Sequence, residues 1–146
     1  MPEFRTDVLL PRDPDAALEA ATKQYVDARA RVVLAFSKAG TLTTGTGTHR
    51  LYNDAGSTMT IVGVRTSVGT APTGASIIVD INVGGSTIFS TQGNRPTIAA
   101  SGNTSGKVTN MNTTTIADGG YFTVDIDQVG STVAGADLTV QILLGV

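Results

Sequence analysis

A Ser-His-Asp arrangement in this chain would have to use His49, the single histidine. Such a triad needs the imidazole to take the nucleophile's proton while a carboxylate fixes its tautomer. His49 sits beside Arg50 in the strand-like run Thr48-His49-Arg50-Leu51-Tyr52, and no G-x-S-x-G elbow occurs anywhere. It reads as an ordinary strand or rim residue. Asp80, Asp125 and Asp127 are expected to point away from the core, and on neighbouring strands they could offer oxygens to a hard cation such as Ca²⁺. Outward carboxylates also keep a sheet soluble and discourage edge pairing, and that is the preferred reading. Gly45-Thr46-Gly47 is a triplet of the kind phosphate loops use, but no helix start and no Lys-Ser/Thr pair follow it. No catalytic, cofactor-binding or metal-binding residue is assigned, and the chain is expected not to be an enzyme.

Composition narrows the partners. With no cysteine, disulfides and thiolate metal sites are excluded. Formal net charge is −2, and the ten Lys and Arg are scattered apart from a loose group at Arg29, Arg31 and Lys38. A protein that neutralises phosphates gathers a basic patch, so nucleic acid is not an expected partner. Sugar sites generally stack on aromatic faces, and this chain has no Trp, three Tyr and four Phe. Tyr52 and Tyr121 are the best exposed-aromatic candidates, with packing the favoured role for each. The first residues lack the basic and apolar blocks of a signal peptide. No apolar run approaches the ~20 residues of a membrane helix, so membrane insertion is not expected. Leu138 to Val146, the most apolar stretch, reads as a final strand.

Any site must be positioned by strands. Charged residues are only 15%, and Thr, Ser, Asn and 17 Gly supply the polarity. Period-two alternation predicts strands at Val32–Phe36, Thr58–Val68 and Ser76–Val83, with Met59, Ile61 and Val64 inward in the second. In the third, Ile77, Val79, Ile81 and Val83 share one face, opposite Ile78, Asp80 and Asn82. Gly84-Gly85 predicts a two-residue hairpin turn into Ser86–Ser90. Thr41–Gly47 reads as a flexible stretch and residues 91–106 as a long loop with at most one short strand. Further strands are predicted at Lys107–Met111, Tyr121–Val129 and Leu138–Leu144. Seven or eight such strands describe a mainly β chain, an antiparallel jelly-roll-like β-sandwich over residues 32–146.

The first thirty residues differ. Residues 1–12 look extended, with Pro2 and Pro11 biasing their predecessors away from the α region. Asp13-Pro14-Asp15 reads as a helix start, and good helix formers follow to about Arg31. Leu18, Ala21, Tyr25, Ala28 and Val32 alternate steps of three and four, the seam spacing of a coiled coil. The same spacing suits an amphipathic helix packed on its own chain, and periodicity does not choose between them.

The run Leu10-Pro11-Arg12-Asp13-Pro14-Asp15-Ala16-Ala17-Leu18-Glu19-Ala20-Ala21-Thr22-Lys23-Gln24-Tyr25-Val26-Asp27 resembles a motif of bacteriophage tail-fibre and minor tail proteins, whose core is A-A-T-K-Q-Y-V-D. All eight core residues stand at Ala20 to Asp27. The stretches Val68–Ala75, Asn94–Ile98 and Val124–Ser131 are similar to β-rich modules of phage virion proteins. The resemblance implies an arm (1–12) docking on other virion proteins, a trimeric helical stem (13–31) and a β-sandwich head (32–146). It favours the coiled-coil reading, with Leu18, Ala21, Tyr25, Ala28 and Val32 as the homotrimer interface. It implies a virion location, on the tail in preference to the capsid surface, and contact of the head with the host surface. A capsid decoration (head-fibre) protein is the alternative. A glycan-binding module, meeting a host cell-surface glycan, is the second.

Overall fold

Alternation of apolar and polar residues sets the layout of this chain once residue 30 is passed. The computed structural model describes residues 22–146, which fall into two units divided between Ala30 and Arg31. In the first unit the described element is helix α1, Lys23–Arg29. Thr22, with extended backbone, caps it: the Thr22 Oγ1 accepts from the Tyr25 amide at 3.0 Å. Of the helix expected from Asp13 to about Arg31, the described part starts after Thr22 and ends at Arg29, and residues 13–21 lie outside the described residues. A Thr side chain that satisfies an orphan amide favours a helix start over a helix interior. Leu18, Ala21, the residues 1–12 arm and the side chain of Ala28 lie outside the described residues.

The second unit is built of β1 (Arg31–Thr41), β2 (Leu51–Tyr52), β3 (Met59–Thr70), β4 (Ile77–Val83), β5 (Ser86–Thr87), β6 (Thr97–Ile98), β7 (Thr104–Val108), β8 (Thr115–Ile116), β9 (Tyr121–Gln128) and β10 (Ala136–Gly145). They form two antiparallel sheets. One has the order β1-β10-β3-β7, with β8 also on β3; the other has β2-β9-β4-β5, with β6 also on β4. The inward faces share one core, in which Ile61, Val64, Val140 and Ile142 of the first sheet join Val79, Ile81, Phe122 and Val124 of the second. Two antiparallel sheets closed on one core make this unit a mainly β chain of sandwich type.

Most predicted strands stand, with shifted ends. Gly84 and Gly85 have φ of 58° and 89°, the left-handed pair that a two-residue hairpin demands. The strand predicted at Lys107–Met111 lies earlier, at Thr104–Val108, because Thr104 and Ser105 hydroxyls bond the Thr66 carbonyl and draw that segment onto β3. Met111 instead plugs the core. The loop after residue 90 holds a short 3₁₀ turn (Gln92–Asn94) as well as β6. Thr41–Gly47, expected to be flexible, is pinned: Gly45 and Ile126 exchange both backbone hydrogen bonds at 2.9 Å.

Two buried polar side chains make opposite contributions. The Asn53 amide donates to the carbonyls of Ser57, Ile116 and Ala117 and ties the turn after β2 to the one after β8. The Thr66 hydroxyl faces the core with no partner among the described residues. An unmade buried hydrogen bond costs about 1–3 kcal/mol. Thr66→Val should therefore raise stability by about 1 kcal/mol and Asn53→Ala should lower it by about 2 kcal/mol, read by urea denaturation. Destabilisation by Thr66→Val would mean that its hydroxyl has a partner.

Candidate interaction surface

The three aspartates are brought together but are already engaged. Asp80 on β4 and Asp125 on β9 are cross-strand partners. Asp125 Oδ1 accepts from the Gly47 amide and Oδ2 from Asn82 Nδ2, both at 2.8 Å. Asp127 pairs with Arg95. Asp80, expected to face water, is buried, and its Oδ1 accepts from Thr87 Oγ1 at 2.7 Å and the Ile81 amide at 2.8 Å. On the strand paired beside β4, Thr87 turns its hydroxyl onto this carboxylate, and Arg95 and Asp127 lie close enough to act on it, so the position faces protein groups as well as water. These carboxylates knit strands together, and no group of three metal-ligating side chains occurs among the described residues.

Burial holds the Asp80 carboxyl above the usual aspartate range, with the bonds from Thr87 and Ile81 opposing the shift; nearby Asp127 raises it and Arg95 lowers it.

His49 stands on the rim of a groove of about 380 Å³, its ring 6.1 Å from that of Phe36. The groove is walled by Phe36 and Lys38 on one side and the Thr43–His49 segment on the other, with Val124 and Ile126 at its floor; among the described residues no carboxylate lines it. Gly47 is a glycine for packing reasons, since a Cβ would lie 1.9 Å from the Val124 carbonyl oxygen.

Of the predicted seam residues, Tyr25 and Val32 have described side chains. Tyr25 is half-buried on α1, with the Arg29 guanidinium 4.6 Å from its ring centroid. Val32 is not helical: it opens β1, paired with Leu144. The helix has ended because Val32 to Phe36 prefer extended backbone and β10 offers a ladder to complete.

What sequence reasoning missed is a cluster around the start of β1. Val32 is 43% exposed, Val33 52% and Tyr52 44%, half of the large exposed apolar side chains among the described residues. Val32, Leu34, Tyr52, Met59 and Leu144 line a mostly apolar pocket of about 270 Å³ at this end of the sandwich. Tyr52 packs against Tyr121 at 5.6 Å, and the Arg50 guanidinium covers the Tyr121 ring at 4.4 Å. The available signal was the pair Val32-Val33 itself: on an edge strand adjacent residues face opposite sides, so at least one must meet solvent or a partner.

No family model, curated protein or solved structure matches this chain.

The buried carboxyl has a consequence for pH. Asp80 binds its proton more tightly folded than unfolded, so its contribution is fully present below about pH 4, the unfolded value, and is lost as pH rises through the elevated folded one. Asp80→Asn removes that titration. Melting temperature should fall less from acid to neutral pH in Asp80→Asn than in the wild type, and parallel profiles would contradict this assignment.

Proposed function

We propose that this chain is a structural, non-enzymatic protein of a bacteriophage virion, a short homotrimeric tail fibre or minor tail protein whose head meets the host surface. The observation that carries the reading is Ala20–Asp27, the A-A-T-K-Q-Y-V-D stretch that resembles the phage junction motif, standing directly before a β domain. Lys23 to Asp27 of that stretch lie on α1, and Ala30 alone separates the helix from β1. A helix of seven residues is marginal in water and needs a packing surface, which a bundle of three copies supplies. Tyr25 and Ala28 continue the spacing of Leu18 and Ala21, and small Ala side chains permit close approach.

The sheet orders support a jelly-roll reading of the head. In β1-β10-β3-β7 and β2-β9-β4-β5 the chain changes sheet at each step from β1 to β4 and from β8 to β10, with β4 and β5 a hairpin within one sheet, a layout of Greek-key type. That architecture recurs in virion and lectin domains. The arm of residues 1–12 would dock the trimer on other virion proteins. Capsid decoration remains the alternative placement for the same trimer. A glycan-binding head is favoured by one feature, the half-exposed Tyr52 beside Tyr121.

Gold-labelled antibody raised against the protein should decorate the tail end of intact virions. Label spread over the head would make it a decoration protein, and unlabelled virions would end the virion reading. Light scattering should return about three times the 14.9 kDa chain mass; a monomer would remove the trimer.

A further inference from the structure

We infer that the apolar cluster at the start of β1, centred on Val32, Val33 and Tyr52, is where copies of this chain pack head against head. The inference rests on the trimer reading and deepens it: the interface passes from helix to strand, and Val32 serves it from β1. The head then contributes to assembly and is not merely carried by the stem.

Three observations lead there. First, exposed apolar side chains concentrate at this end: Val32 and Tyr52 line the 270 Å³ pocket and Val33 follows Val32 on β1, whereas Val133 lies by the opposite end of the sheet. The ladder fixes these ends, with Arg31 opposite Gly145 at one and Thr41 opposite Ala136 at the other, and Val133 bridging to Thr73 beyond the latter. Second, among the described residues β1 is hydrogen-bonded on one side only, to β10. At 11 residues it is the longest edge strand, where the opposite edge, β7, has five and β2 has two. Long open edges are normally blunted or covered.

Third, chain length names the occupant. Three residues separate Arg29, the last of α1, from Val33, so the two Cα atoms, four steps apart along the chain, are at most about 14 Å apart. Helices in contact lie about 8–10 Å apart. Any bundle of these helices therefore brings the Val32-Val33 segments of its copies to the same small region, at high effective concentration. A second copy is always within reach there, and a glycan or another virion protein is not.

The absence of cysteine makes the test clean. Val33→Cys in the full chain should cross-link into a dimer-sized band on mild oxidation, because a disulfide forms only when Cα atoms come within about 7 Å. Val133→Cys, exposed at the opposite end, should not. Labelling of Val33→Cys by a thiol reagent should be slow in the trimer and at least tenfold faster when Tyr25→Asp is added to dissociate the stem. A trimer that cross-links no better through Val33→Cys than through Val133→Cys overturns the head contact and leaves the stem reading intact. Slow labelling in the dissociated variant also overturns it, since the chain's own residues would then be the cover. A wild type that sediments as a monomer at every concentration removes both.

Discussion

Removal of the inward faces of two sheets from water is the constraint on which this molecule depends. Ile77, Val79, Ile81, Phe122, Val140 and Ile142 are all fully or almost fully buried, and each side chain of this size contributes about 1.5–3 kcal/mol on leaving water. That term is large only if β3, β4, β9 and β10 keep their registers, since a one-residue slip would turn every such side chain outward. The central strands of both sheets follow from it directly. The peripheral features are what remains after this condition is met: the bulges between Lys38 and Thr41 and between Leu143 and Leu144, the pinned Thr43–His49 segment and the short β5 and β6.

Polar groups on the outer face of the second sheet work in support of this core. Asp125 joins β9 both to Asn82 on β4 and to the Gly47 amide, so one carboxylate holds a strand neighbour and an irregular segment in place. Asp80 bonds Thr87 across the hairpin and stabilises the return of β5. Of the residues that looked like candidate cation ligands, Asp125 thus fastens the segment between β1 and β2, Asp80 the β4–β5 hairpin, and Asp127 pairs with Arg95.

The alternation of the long strands was legible because each has one wet and one dry face, as Phe122, Val124 and Ile126 against Thr123, Asp125 and Asp127 make plain. The Gly84-Gly85 turn was legible because few other residues accept two successive positive φ values. Asp80 was misjudged for a reason that alternation cannot encode: its carboxylate is taken up by the Thr87 hydroxyl on the paired strand and by the Ile81 amide. The same holds for Thr43–His49, whose composition signals mobility and whose order comes from hydrogen bonds to β9, far along the chain. The exposed cluster escaped notice because Val32 satisfied two patterns at once, ending a heptad-like series and beginning a strand. Local periodicity gives no means of ranking them; pairing with Leu144 decides it.

In the proposed trimer, threefold symmetry would limit how such a cluster is covered. Two antiparallel edge strands can pair across a twofold axis because each presents the same face to the other. Around a threefold axis the contact is heterologous, so β1 of one copy cannot ladder with β1 of the next, and side chains must make the joint. An apolar patch with open volume beside it can form a joint of that kind. Val33 can project from one copy while the pocket walled by Leu34, Met59 and Leu144 receives a side chain from its neighbour. A fully packed flat edge would offer no such complement. In that trimer the pocket and the exposed Val33 would form the two sides of one heterologous contact.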